Sequence, residues 1–564
     1  MPAFAVVGLA STDGQASGRQ SVIDGIDSIR VWGPSGSVDW VDIVDLDGGD
    51  TVLVGTFTGT ISLPATGQAS AQSTDIVIAR LGSSGIVWAK TIGATNSDYV
   101  YDVDANSTNL VIATEFHGSV SLPGLGLQNL QYPTGVILSY DLNGNAQDCA
   151  VMPLTNTSGD SEARITGVRI HPTFNSVIVM GEYSEVQADL GTDDLPVTGN
   201  ENTHGFVALT SRGLDWVWGF AFEGADVEMK DIDVPDSTKI AVGGTFTASA
   251  PIRYRGDAQN GRGGQDGFAA ILTTIGGIDL LRTHKGDGTD SVNAVVIDSY
   301  GRLVVAGEHC IGATGACSVK FWEDTYSGTT GNDSLHLTVW NPGGTPDLVS
   351  LIHQPETSPG GQDIVSVSKA GQQHLIWSLN SMGPVSLIPD GQNPIELLGS
   401  PSDSDAHLIA LDSGDHHFVW SNRSTGASEE IYDVEVGVDN TLHIGMSGVG
   451  SLMFGSESRA VGDSDAVVAI RTMIDWDLDG IHDGSDSCET SGTVFTSNAS
   501  NDHDGDGCHD SSEDTDDDDD GRTDLDAGGS DACPIGLVGW NSSDVSVDRD
   551  ADGCHDMNED PDDD

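Results

Sequence analysis

The sequence predicts an all-β protein: a multi-bladed β-propeller over residues 1–474 and an irregular calcium-loop tail over 475–564. Two observations predict it. Through the first part, short runs of β-branched and aromatic residues return with a period of about sixty residues, separated by Gly, Asp and Ser. Through the tail, one loop pattern, Asp-x-Asp-x-Asp-Gly-x-x-Asp, occurs four times. Carboxylates at alternating positions followed by a Gly that permits a sharp bend are how a chain wraps a hard cation such as calcium, which takes six to eight oxygens.

One complete repeat spans residues 41–93. Val41-Asp-Ile-Val44 comes first, then Thr51-Val-Leu-Val-Gly-Thr-Phe57, then Asp75-Ile-Val-Ile-Ala-Arg-Leu81, then Ile86-Val-Trp-Ala-Lys90. The second run recurs eight times, at Phe4–Gly8, Val52–Gly55, Leu110–Ala113, Val177–Gly181, Ile240–Gly244, Leu303–Gly307, Leu375–Ser378 and Leu442–Gly445. The third also recurs eight times, with Ser28-Ile-Arg-Val31 among its copies, while the first is found seven times. This counts eight blade-like units, the first and last incomplete, with seven blades as the alternative. Sixty residues per unit is short for a free-standing sandwich of about 100 residues. Propeller blades of that length bury their faces on their neighbours. Small residues closing the second run suit crowded packing between blades.

The pattern Val-Gly-Thr-Phe-Thr-Gly at 54–59, its partner at 243–247 and Asp-Ile-Val-Ile-Ala-Arg-Leu at 75–81 resemble β-propeller repeats of the SBBP type. That resemblance covers most of 1–474 and implies a surface or secreted protein without an assigned reaction. Residues 300–400 depart from it through longer insertions around the third strand.

The four tail loops offer Asp475, Asp477, Asp479, Asp483 and Asp486; Asp502, Asp504, Asp506, Asp510 and Glu513; Asp516, Asp518, Asp520 and Asp524; and Asp548, Asp550, Asp552, Asp556 and Glu559. In the twelve-position loop Glu513 and Glu559 are placed to bind bidentately. The third loop has Ala527 at that place, which leaves Asp526 or Asp531 for its last ligand. A sensor hand needs flanking helices, and the run Asp514–Asp520 is a poor helix by propensity and by like-charge repulsion. The tail instead resembles thrombospondin type 3 repeats, in which calcium ions stand in for a hydrophobic core. Its loops form a pair of pairs, and with that arrangement disulfides Cys488–Cys508 and Cys533–Cys554 are expected, each closing about 20 residues. Cys310 and Cys317 share one short loop and are expected to pair, which leaves Cys149 over.

A net charge of -65 repels nucleic acid and anionic lipid. No apolar run is long enough to cross a membrane as a helix. Pairable cysteines in Gly- and Asp-rich loops suit an oxidising, extracellular setting. No nucleotide loop, zinc-protease helix or serine-hydrolase elbow is present. His416-His417 beside Asp415 reads as an exposed turn, and Asp45, Asp47 and Asp50 as an ordinary Asp-Gly turn. Trp88, Trp216 and Trp218 fall in strands and suit blade packing rather than a sugar platform. The expected function is an extracellular or cell-surface calcium-binding structural or adhesion protein that meets a surface ligand, protein or glycan. The alternative is a secreted propeller hydrolase or lyase, which an inward-facing cluster of His, Arg, Asp or Tyr at one mouth would favour. Glu559-Asp-Pro-Asp562-Asp-Asp564 parallels Glu513-Asp-Thr-Asp516-Asp-Asp518, so a longer parent protein is expected.

Overall fold

The computed structural model describes residues 25–473, apart from short connections between strands, and 479–560, apart from 480, 482–485, 489–494 and 526. The chain divides into two compact units, Ile26–Arg471 and one that contains Thr472–Asp564. Among the described residues there are strands and turns but no helix.

The larger unit is built from recurring sets of four antiparallel strands. One set is Ser37–Leu46, Asp50–Leu63, Gly67–Gly82 and Gly85–Ile92, hydrogen-bonded in that order. The next is Tyr99–Ala105, Asn109–Leu122, Gly126–Asp141 and Ala146–Val151. Later sets begin at Glu162, Ala225, Thr289, Gln362 and Thr425. The run Ser28–Val31, expected as a third strand, lies instead in Gly25–Trp32, which pairs on the outer edge of Glu457–Met473. Alternation and β-propensity mark a strand but not its place in a sheet, and that edge was open to pairing. Phe4–Gly8 lies outside the described residues.

Among the described residues, apolar faces are shared between neighbouring sets. Val52, Val54, Ile76 and Ile78 join Val100, Leu110 and Val136 of the following set. Leu53, Val77 and Ala79 point the other way, to a cluster that Tyr432 completes. Successive residues of a strand face opposite sides, so a strand sandwiched between two neighbours reads as a continuous apolar run. The same sharing recurs at Ile165, Val179 and Phe206 with Val111 and Ile137, and at Trp377 and Ile409 with Val304 and Leu337. Each such side chain contributes about 1.5–3 kcal/mol by leaving water.

The Gly residues that close the second run are crowded from two sides. A Cβ on Gly55 would sit 2.6 Å from the Asp39 carbonyl oxygen, and one on Gly244 would strike that of Glu228. At these two positions the crowding comes from the first strand of the same sheet, whereas a Cβ on Gly243 would strike Val292 and Val295 of the next sheet. That first strand bulges at the same place in most sets: between Trp40 and Asp42, Val100 and Asp102, Met229 and Asp231, and Ile431 and Asp433. A bulge bends the strand toward its partner and re-aims the residue that follows.

The residue after the bulge is often Asp, and its carboxylate reaches the first strand of the next set. Asp42 Oδ2 accepts Val103 N at 2.6 Å, Asp102 Oδ2 accepts Val168 N at 2.6 Å and Asp231 Oδ2 accepts Val295 N at 2.6 Å. Two residues on, Asp104 accepts Ile170 N and Asp233 accepts Ile297 N. Asp433 Oδ2 accepts Ile43 N at 3.2 Å, across 390 residues. Edge-strand amides need partners, and these carboxylates supply them. Asn380 does the same work neutrally, bonding both N and O of Ile431 at 2.8 Å.

Insertions between second and third strands reach back to the preceding set. Ile252–Tyr254 pairs with Trp216–Glu223, Ala316–Phe321 with Ile278–Gly286, and Val385–Ile388 with Pro346–His353. They cover outer edges that would otherwise invite pairing with another chain.

A group of histidines was not foreseen. His284 Nδ1 and His336 Nε2 are 2.8 Å apart, with His309 and Phe321 beside them and Trp340 stacked on His284. Burial above all, and then His309, pushes His284 down to about 3. Burial likewise pushes Asp98, Asp104, Asp233 and Asp266 up to about 6 and Glu115 up to about 7. The signs oppose. A raised carboxyl holds its proton in the folded state, so its contribution is full below about pH 4 and is lost as pH rises through 6 to 7. A depressed His contributes fully only well above a pH of about 6.5 and loses as pH falls. At pH 6.5 it has already lost about 0.4 kcal/mol, so between pH 8 and 6.5 the two kinds of group oppose one another. The carboxyl part shows by difference: on going from pH 8 to 6.5, Glu115→Gln should lose on the order of 1 kcal/mol of stability relative to the unsubstituted chain. Calorimetry on both proteins at the two pH values decides it; parallel pH dependences overturn it.

Candidate metal centre

The tail folds as two similar halves. Cys488 is bonded to Cys508 and Cys533 to Cys554, at sequence separations of 20 and 21. Ser487 N bonds Asp506 O at 2.6 Å in one half, and Ala532 N bonds Asp552 O at 2.7 Å in the other. Each disulfide thus fastens the end of one loop to the middle of the next.

Within a loop the first Asp organises the backbone. Asp502 is 1% exposed; Oδ1 accepts Gly505 N at 2.8 Å and Oδ2 accepts Gly507 N at 3.1 Å. Asp548 accepts Asp552 N and Gly553 N, both at 3.1 Å, and Asp516 accepts Gly521 N at 3.0 Å. The turn needs a left-handed residue, and Gly507, Gly521 and Gly553 have φ of 90°, 89° and 89°. A Cβ on Gly507 would also collide with the Asp486 carboxylate, and one on Gly553 with that of Asp531. The bend brings the first, third and fifth carboxylates together. In Asp502, Asp504 and Asp506, in Asp516, Asp518 and Asp520, and in Asp548, Asp550 and Asp552, one oxygen from each lies within 4.8 Å of the others. That is twice a calcium–oxygen distance of about 2.4 Å.

In loop three Asp516 Oδ1 and Asp520 Oδ2, and near it Asp524 Oδ1 and Asp531 Oδ2, are buried and have no hydrogen-bond partner. Burial first, and then Asp518, pushes Asp520 up to about 7; burial first, and then Asp506, does the same to Asp504. A carboxylate held so unfavourably needs a proton or a cation. The donor set is oxygen throughout, which suits a hard cation.

Asp531 is the counterpart of Asp486: each accepts the N–H of the following disulfide cysteine, at 2.7 and 2.6 Å. Of the two acids expected to stand in for Ala527, Asp531 is buried and Asp526 lies outside the described residues. Asp479 and Asp486 are buried, while Asp475, Asp477 and Asp483 lie outside the described residues. Glu559 is not grouped with the triple of its own loop. Its Oε2 accepts His555 N at 3.1 Å, and Oε1 stands 3.1 Å from where a Cβ of Gly536 would be, beside Asp518 of loop three. Glu513 is likewise outside the triple of loop two. The position-nine residues Asp510, Asp524 and Asp556 each accept the amide of position two in their own loop.

Elsewhere, Asp45 bonds His443 and Asp50 bonds Arg80, so that turn is tied to protein partners. Trp88 and Trp216 donate to the carbonyls of Leu142 and Val151, and Trp218 is buried on Phe220. Cys149 is buried and free, its thiol raised by burial to about 11. The side chains of Cys310 and Cys317, and all of Asp415, His416 and His417, lie outside the described residues.

The chain matches no protein-family model and no curated protein. Among solved structures it is similar to an exo-inulinase from Aspergillus awamori, at 10% identity and a TM-score of 0.25, over 79% of this chain and 98% of that one. A likeness that loose carries no argument about reaction or ligand.

Proposed function

We propose that this is a calcium-binding, non-enzymatic protein of the cell exterior. Its strand-rich unit is a closed seven-bladed propeller that serves as a binding or spacer module for a surface protein or glycan, and its tail is a calcium-stiffened stalk. The observation that carries the calcium assignment is the set of buried, unpartnered carboxylate oxygens in loop three and at Asp531. Two disulfides in the tail support an oxidising compartment. Among the described residues no helix is long and apolar enough to cross a membrane.

Seven blades follow if Gly25–Trp32 completes the set of Thr425–Val436, Leu442–Phe454 and Glu457–Met473. Closure is supported by Asp433 on Ile43 and by His443, which bonds Asp45 and Thr51. The acids on the inner strands do not mark a reaction site, because they accept backbone amides of the neighbouring sheet. The resemblances to SBBP-type and thrombospondin type 3 repeats fit this assignment. Calorimetric titration of calcium into the intact, chelator-stripped chain tests it. Several sites per chain are expected; no heat of binding at millimolar calcium would sink it.

A further inference from the structure

Loop three differs from its sisters at position two. Loops one, two and four carry Trp476, His503 and Arg549 there, and loop three carries Asp517. Position two supplies no ligand to a twelve-position loop, so that acid has no task in its own loop. In the structure it meets two others. Asp510 of loop two, Asp514 of the connection and Asp517 each place an oxygen within 4.8 Å of the others.

Backbone amides do not satisfy this cluster. Asp514 gives Oδ1 to Asp516 N at 2.9 Å, and its Oδ2 is buried without a partner. Asp517 is 8% exposed, and its Oδ1 is buried without a partner. Asp524, 1% exposed, gives Oδ2 to Asp517 N at 3.3 Å. Two of the three grouped carboxylates, Asp514 and Asp517, thus each carry a buried oxygen without a partner.

We propose that Asp510, Asp514 and Asp517, with Asp524 adjoining, hold a further divalent cation at the junction between loops two and three. The all-oxygen donor set selects calcium over softer metals. The ion ties the half closed by Cys488–Cys508 to the half closed by Cys533–Cys554, so the two halves are ordered together. This rests on the assignment of the tail as calcium-binding.

The test is calcium stoichiometry by calorimetry on the intact chain, wild type against Asp517→Asn and Asp514→Asn, with Asp550→Asn in loop four as a control. Each junction variant should bind one calcium fewer than wild type, and Asp517→Asn with Asp550→Asn should bind two fewer. Unchanged stoichiometry and affinity in both junction variants overturns the junction site and leaves the loops standing. A wild-type chain that binds no calcium overturns the loop assignment and the junction together.

Discussion

Chelation of calcium from the intact protein should unfold the tail and leave the strand-rich unit folded. The tail has few buried apolar side chains; Cys508 and Cys554 are its buried apolar residues among those described. Its interior is instead Asp502, Asp518, Asp520, Asp524, Asp531 and Asp548, each 1% exposed or less. With an ion in place these carboxylates are ligands. Without it they are like charges brought together out of water, and nothing else favours their burial. An ion at a hundred times its dissociation constant contributes about 2.7 kcal/mol per site. Three such sites would supply about 8 kcal/mol, within the range of a whole domain's stability. Limited proteolysis with and without chelator, read by mass, should show new cuts within 495–560 only when calcium is removed. Cuts between Cys488 and Cys508 or between Cys533 and Cys554 should release fragments only after reduction, while cuts at 509–532, which no disulfide spans, should separate the halves directly. Identical digestion patterns in the two conditions would refute the assignment.

The second large effect is expected at His443. Its Nε2 lies 3.0 Å from Asp45 Oδ1 and its Nδ1 lies 3.2 Å from Thr51 Oγ1, across 392 residues, with side-chain exposures of 2% and 7% for His443 and Asp45. Truncation to Ala removes the imidazole from a buried carboxylate and opens a void between the last sheet and an early one. Removing one partner of a buried hydrogen bond costs about 1–3 kcal/mol. His443→Ala should therefore lower the melting temperature of the strand-rich unit by several degrees and leave calcium stoichiometry unchanged. Asp45→Asn with His443→Gln, which keeps neutral hydrogen-bonding groups in place, should recover part of the loss. An unaltered melting temperature in His443→Ala would show that the two sheets are held without this contact.

Local chemistry was legible in the sequence, and partnership across the fold was not. The runs at Val52–Gly55, Leu110–Ala113 and Ile240–Gly244 all lie in strands, because β-branched residues between turn formers favour one local conformation whatever lies next to them. The aspartates at positions one, three and five come together because one glycine bend places them, a matter of six consecutive residues. The assignment of positions nine and twelve depended on the neighbouring loop, and so Asp510 stands with Asp514 and Asp517, and Glu559 beside Asp518. The recurring Asp of the first strand carried a signal in the repeated Asp-Ile and Asp-Val pairs at 42–43, 102–103, 231–232 and 433–434. Its use as an acceptor for the adjacent sheet's amide could be read only once the sheets were side by side.

By itself the sequence determined the all-β character, the repeat, the acidic loops and their bends, since each follows from spacing along a few residues. The tertiary structure alone decided that Gly25–Trp32 pairs with Glu457–Met473, that Asp433 reaches Ile43, and that an acid at position two of loop three faces two others. Those contacts join residues that chain connectivity leaves independent, and they form where an unpaired sheet edge or an uncompensated charge meets the group that satisfies it.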